Sequence, residues 1–221
     1  MTVTGPDDMT LEELRAALAE RLPGEAVFEG WSDKALDAAA IAMGIPAERA
    51  RLAFAGGAGQ MVDAWFASVD RHMADALPPE TLAEMRVRDR ITALVLARLA
   101  LVAPYREALR RALAVLAMPH HMAMGTAVGW RAAETMWRLA GDNSTGFAHY
   151  TKRMTLLGVY GATLLAFIDD DSENYAETRA FLDRRIDDVM KFEKFKARIT
   201  PDPDRHFSIA RFLGRLRYPT H

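Results

Sequence analysis

Proline and glycine cut this 221-residue chain into roughly nine or ten segments of helical length, and no stretch sustains the apolar–polar alternation that a half-buried strand requires. That punctuation predicts an all-α fold. Half of the residues are hydrophobic and 26% are charged, a balance that can fill a helical core. Cysteine is absent, which removes disulfides, thiol nucleophiles and thiolate zinc sites.

Thr10 with Glu13 three residues on forms a capping box, and the helix it starts is predicted to stop at Pro23-Gly24. Ser32 caps a second helix through Met43, Gly44-Ile45-Pro46 makes a tight turn, and a third helix runs from Ala47 toward Gly56-Gly57. Helix, short glycine-containing turn, helix is helix-turn-helix spacing. A fourth helix, Gln60 to Leu77, ends at Pro78-Pro79, so residues 1–79 read as an N-terminal unit. Residues 80–200 read as a larger bundle, with helices from Glu80 to Val102, Pro104 to Leu116, His121 to Leu139, Phe147 to Ile168 and Tyr175 to about Ala197. Gly141 suits a left-handed C-cap, and Ser144 or Thr145 can cap the next helix. Residues 201–221 form a stiff Pro201-Asp202-Pro203 spacer and a terminal amphipathic segment.

A formal net charge of −2 gives the whole chain no electrostatic footprint for nucleic acid. The longest uncharged stretch, Ala112 to Trp130, is broken by Pro119, His120 and His121 and does not read as a membrane span. Nucleophile elbows, Walker loops, zinc-helix and di-iron spacings are missing, so no catalytic residue, metal ligand or cofactor is assigned and the chain is not expected to be an enzyme. Asp7, Asp8, Glu12, Glu13 and Glu20 argue against a secretory or transit peptide. The expected place is the bacterial cytoplasm at the inner-membrane surface, or the mitochondrial matrix side if a transit peptide has been removed.

Three stretches can carry function. Met118, Met122, Met124 and Met136 lie among Gly125 and Gly129, and flexible thioethers over small residues suit a cavity for a long apolar ligand as well as an ordinary core. The uncharged run Thr155 to Ile168, with Gly158 and Gly161 in it, would supply the opposite wall through Leu156, Tyr160, Leu164 and Phe167. In the terminal segment Ile209, Phe212, Leu213 and Leu216 share one helical face, while Arg205, Arg211 and Arg215 supply positive charge. That pattern serves contact with anionic lipid or a helix folded back onto the core. Trp137 near a helix end is either a core residue or an interface anchor.

The stretch Leu116-Ala-Met-Pro119-His120, followed by Met136-Trp137-x-x-Ala140-Gly141-Asp142-x-Ser144-Thr145-x-Phe147-x-x-Tyr150-Thr151-x-Arg153, resembles the accessory lipid-binding proteins of ubiquinone biosynthesis, the ninth of the Coq set. Weaker similarity extends from Gly30-Trp31 to about Ala197. The resemblance implies a fold like that of TetR regulators, a homodimer, a lipid pocket for an isoprenoid quinone precursor or phospholipid, a membrane-touching final helix and no catalysis. It also implies a partner, the di-iron demethoxyubiquinone hydroxylase or a related quinone hydroxylase, met by Trp137 with Glu134, Asp142 and Tyr150. Glu134 stands where the family usually has aspartate. The other reading is a TetR-type DNA-binding regulator, whose recognition helix from Pro46 to Ala53 would offer only Arg49 and Arg51, with Glu48 among them.

Overall fold

The structure is a computed structural model that describes the backbone of residues 8–199 and the side chains of residues 8–191. Its helices are α1 (Leu11–Glu29), α2 (Asp33–Ala42), α3 (Ala47–Ala53), α4 (Gly57–Ala76), α5 (Pro79–Ala83), α6 (Val87–Val102), α7 (Arg106–Leu116), α8 (Met122–Leu139), α9 (Gly146–Ile168) and α10 (Ala176–Ile199). Single 3-10 turns at Ala103–Tyr105, Pro119–His121 and Glu173–Tyr175 carry the chain into α7, α8 and α10. No strand occurs among the described residues. One compact unit runs through Asp183, and a second begins at Arg184.

The capping box at Thr10 is present, with Glu13 accepting from the Thr10 backbone N–H at 2.7 Å and Thr10 Oγ1 accepting from the Glu13 N–H at 3.2 Å. The expected stop at Pro23-Gly24 does not occur: α1 continues through Pro23 to Glu29 and ends at Gly30, whose φ is +69°. Leu14, Leu18, Leu22 and Ala26 are fully buried along one i, i+4 stripe, so packing carries the helix past the lost Pro23 hydrogen bond. Ser32 caps α2 as expected. Gly44, at φ +66°, makes the turn into α3.

A second boundary also moved. The predicted helix from Glu80 is broken between α5 and α6, because Arg90 turns back to donate to the carbonyls of Ala83 at 3.1 Å and Met85 at 2.9 Å, satisfying groups that a continuous helix would have used itself. Between α9 and α10, buried Asp170 accepts from the N–H and hydroxyl of both Ser172 and Thr178. Although burial works against the charge, those hydrogen bonds hold its carboxyl well below the usual carboxylate range.

Helix α4 is the axis on which the front and rear helices meet, packing against α1, α6, α7 and α8. On its front side Trp65 lies 5.2 Å from the ring of Trp31, and the Trp31 indole donates to the Ala108 carbonyl of α7 at 2.9 Å. On its rear side Asp70 accepts from Arg98 of α6 through one oxygen and from Arg131 of α8 through the other at 3.1 Å. Arg98 is fully buried and also donates through Nε to Tyr160 Oη of α9 at 3.0 Å. A single carboxylate thus links helices from both halves of the unit.

Replacing one partner of a buried ion pair leaves the other charge without compensation, which costs about 3–5 kcal/mol. Asp70→Asn is therefore expected to lower stability by about that amount in urea unfolding, and a loss below about 1 kcal/mol would mean the pair is not holding α4 to α6.

Candidate functional site

Helix α8 ends in a Schellman turn: Gly141 takes φ +84°, the Asp142 N–H donates to the Trp137 carbonyl at 3.0 Å, and the Gly141 N–H donates to Arg138 at 3.1 Å. This is the C-cap expected from the sequence. The expected N-cap of α9 is different, for Thr145 stands in the cap position without a side-chain hydrogen bond and Ser144 gives its hydroxyl to Asp142 at 2.6 Å. Helices α8 and α9 approach closely where Gly129 faces Leu157; a Cβ at Gly129 would fall 2.3 Å from Leu157 Cδ1.

Arg153 is the organiser of the surface formed there. Its side chain is only 3% exposed, yet Nε donates to Glu134 at 2.6 Å and Nη1 donates to Asp142 at 2.6 Å. His149 Nε2 stands 3.5 Å from Glu134, and Lys152 pairs with Asp142. Trp137 is half-buried: its indole donates to the Lys152 carbonyl at 3.0 Å, and the Lys152 ammonium lies 5.3 Å from the ring centroid. Tyr150 is 62% exposed and sits 6.0 Å from the ring of Trp130. Of the residues that the resemblance grouped, Glu134 and Asp142 are joined through Arg153 and Trp137 is held by Lys152, while Tyr150 contacts Trp130 and His149 instead. That reading had no role for Lys152, Arg153 or Trp130, because the pairing that recruits them appears only when α8 and α9 are antiparallel.

Burial pushes the Asp142 carboxyl up, and the hydrogen bonds from Lys152, Ser144 and Arg153 override it and hold the group well below the usual carboxylate range. The Glu134 carboxyl is lowered chiefly by the Arg153 hydrogen bond.

The residues expected to line an apolar pocket are divided. Met136, Leu156, Tyr160, Leu164 and Phe167 are buried, while Met118 and Met122 stand on the surface at 43% and 61% exposure. Met124 is half-buried beside Gly59 of α4, where an added Cβ would meet its Sδ at 3.0 Å and His121 Nε2 at 2.8 Å. Gly158 and Gly161 are not part of a closed wall, since a Cβ on either would meet open space. They share the outer side of α9 with exposed Phe147, Tyr150, Met154 and Leu165. A cavity of about 230 Å³ lies instead among α6, the end of α9 and the start of α10, lined by Leu96, Leu99, Ala103, Phe167, Tyr175 and Arg179 among others. The residues Arg205, Ile209, Arg211, Phe212, Leu213, Arg215 and Leu216 lie outside the described residues. Among the described residues no helix is long and apolar enough to cross a membrane, and no group of three or more histidines and carboxylates is placed to hold a metal ion.

Residues 122–193 match the COQ9 family model. The chain is 39% identical over 93 residues to the ubiquinone biosynthesis protein COQ9, mitochondrial, of Rattus norvegicus, an alignment covering 42% of this chain and 30% of the rat protein. The Homo sapiens protein of the same name is 37% identical over 93 residues, covering 42% of this chain and 29% of its own length. With the Drosophila melanogaster protein the identity is 27% over 198 residues, 86% of this chain and 60% of that protein. The chain thus spans less than a third of the rat and human relatives in the matched region. Among solved structures, the TetR transcriptional regulator from Nitrosomonas europaea ATCC 19718 superposes with a TM-score of 0.64 at 22% identity, covering 80% of this chain and 98% of that one. The fold is TetR-like, as the resemblance implied. The COQ9 match takes in α8, α9 and most of α10, and so contains Glu134, Trp137, Asp142 and Tyr150.

Because its carboxyl is held low in the folded state, ionised Asp142 stabilises the fold above the unfolded carboxylate value, and that contribution is lost as pH falls below about 4. Asp142→Asn is expected to cost about 2 kcal/mol at pH 7, the scale of hydrogen bonds to a charged group. The gap to the parent protein should narrow on acidification below pH ~4. A gap independent of pH in urea titrations would show that the ion pairs carry no net stability.

Proposed function

We propose that this chain is a non-catalytic lipid-binding accessory protein of ubiquinone biosynthesis that takes an isoprenoid quinone precursor at the membrane surface and presents it to a partner hydroxylase. The observation that carries the reading is a coincidence of place: the segment that matches the COQ9 model is the segment in which buried Arg153 fixes Glu134 and Asp142 near half-buried Trp137, with exposed Tyr150 against Trp130. An aromatic anchor inside a rim of charged groups has the composition of a protein-interaction hot spot. The buried face of α9, with Leu156, Tyr160, Leu164 and Phe167, supplies apolar surface for the ligand's chain. The outer side of α9, with Phe147, Met154 and Leu165 around two glycines, suits a second copy of the chain, consistent with a homodimer. Membrane attachment is assigned to Arg205, Ile209, Arg211, Phe212, Leu213, Arg215 and Leu216 on their sequence pattern alone.

A DNA-binding regulator draws support from the shared fold, and α3 speaks against it. Arg51 forms a two-point ion pair with Asp37 of α2, and Arg49 donates to the Met9 carbonyl at 2.6 Å, so both cations of the recognition-helix position are engaged within the protein.

Trp137→Lys is expected to reduce copurification with a di-iron quinone hydroxylase by about tenfold or more, the effect of losing roughly 2 kcal/mol at a hot spot. Lipid recovered from the protein by organic extraction should not change. Undiminished copurification, or loss of the bound lipid together with the fold, would remove the assignment of this surface to the partner. A chain truncated after residue 200 is expected to stop pelleting with vesicles containing phosphatidylglycerol, while the full chain pellets and is partly released by salt. Equal pelleting of the two would show that the terminal segment is not the membrane contact.

A further inference from the structure

Residues 118–124 read Met-Pro-His-His-Met-Ala-Met, so one short stretch holds three of the chain's twelve methionines and two of its six histidines. The fold gathers them at a joint: the 3-10 turn Pro119–His121 carries α7 into α8, and its last residue lies against the first turn of α4 at Gly59. His121 Nδ1 stands 3.1 Å from the Val115 carbonyl oxygen at the end of α7. A carbonyl can only accept, so the bond places the ring proton on Nδ1 and leaves Nε2 its lone pair. A backbone carbonyl behind one ring nitrogen is the support that orients a metal-ligating imidazole for bonding through the other.

What lies before Nε2 is set by Gly59, which is buried on α4. A Cβ there would fall 2.8 Å from His121 Nε2 and 3.0 Å from Met124 Sδ, so the missing side chain lets an imidazole nitrogen and a thioether sulfur draw up to the same point of the α4 backbone. Two atoms that close to one point are at most about 6 Å apart, and a metal ion bonded to nitrogen at about 2.0 Å and to sulfur at about 2.3 Å needs them within about 4 Å, a movement of about 2 Å that the flexible Met124 side chain supplies. Both residues are half-buried, which leaves an ion a way in from solvent. The exposed His120 ring stands beside them, its centroid 4.1 Å from that of His121.

The donor set selects the metal. Hard cations take carboxylate and carbonyl oxygen, and structural zinc is held by a closed tetrahedral set of histidine and thiolate, whereas a thioether beside imidazole is a soft, uncharged set that suits Cu(I). We propose that the α7–α8 joint is a Cu(I) site in which His121 Nε2 and Met124 Sδ are two ligands and His120 the third. Gly59 is a positioning residue that keeps the space before Nε2 and Sδ open. The site is separate from the Arg153 surface and does not depend on the lipid-binding reading.

The test titrates the full chain, free of any polyhistidine tag and without oxygen, into the coloured Cu(I) complex of bicinchoninate, and in parallel into Zn(II) with a zinc indicator. The parent protein is expected to withdraw one Cu(I) per chain. Met124→Leu keeps the size and apolarity of the side chain and is expected to weaken Cu(I) by about tenfold or more while leaving Zn(II) unchanged; His121→Gln is expected to weaken both. Gly59→Ala, which drives a Cβ against both ligand atoms, is expected to weaken Cu(I) as Met124→Leu does. In the parent labelled with 13C-methyl methionine, one equivalent of Ag(I), a redox-inert stand-in for Cu(I), is expected to move the Met124 methyl resonance ahead of those of exposed Met154 and Met190; this measurement stands even if the alanine variant does not fold. Failure of the parent to take Cu(I) from bicinchoninate, equal uptake by Met124→Leu, or methyl shifts spread evenly over the exposed methionines would overturn the site. Equal loss of both metals in Met124→Leu would overturn the sulfur as a ligand.

Discussion

The carboxylate of Asp70 is the constraint around which the rest of the unit is arranged. It lies on α4, the helix that also carries Trp65 and so ties the front layer of α1 and α2 to α7. By accepting from Arg98 and Arg131 it fixes α6 and α8 to the same axis, and through Arg98 the tie reaches Tyr160 on α9. A hydrophobic contact at this point would tolerate sliding, because apolar burial is non-directional. A buried, two-sided carboxylate does not: each oxygen needs its own donor at hydrogen-bond distance, and a helix shifted by one turn would leave a charge unpaired. The interior that results is specific in register, at the cost of placing an arginine where no water reaches it.

A second arginine does the same work nearer the surface. Arg153 is buried on α9 and holds Glu134 on α8 together with Asp142 in the α8–α9 turn, while Gly129 lets the two helices approach within reach of that bridge. The consequence is a stiff surface whose acids are ionised and directed, with Tyr150 standing out beside them. Helix α9 is therefore used on three sides: inward by Leu156, Tyr160 and Leu164, toward α8 by Leu157 and Arg153, and outward by Phe147, Met154 and Leu165. Such a helix cannot show the single apolar stripe of an ordinary surface helix.

Much of the helical framework was legible in the chain because its signals are local. Thr10 with Glu13, Ser32, Gly44 and Gly141 each act through neighbours a few residues away, and each sits in the turn or cap its chemistry favours. Pro23 misled for the same reason: its local preference is to end a helix, and the buried stripe of Leu14, Leu18, Leu22 and Ala26 outweighs the one hydrogen bond it removes. The Glu84–Arg86 break was hidden because Arg90, four residues beyond, creates it by turning backward onto Ala83 and Met85. Clustered methionines were an ambiguous sign, since composition cannot say which of Met118, Met122, Met124 and Met136 face inward; only Met136 is fully buried.

By itself the sequence determined an all-helical chain and its main caps, because periodicity and capping act over a few residues, whereas the acidic–aromatic grouping around Trp137 came from the family resemblance. Only the tertiary structure decided that Arg153 organises that grouping, that Met118 and Met122 lie outside and Tyr160 inside, and that Asp70, Arg98 and Arg131 meet. Those residues are 28 and 61 positions apart in the Asp70 pairs alone. An arginine reads in a sequence as a solvated charge; what makes it a core residue is a carboxylate that the fold delivers from a distant helix, with a geometry that no local pattern encodes.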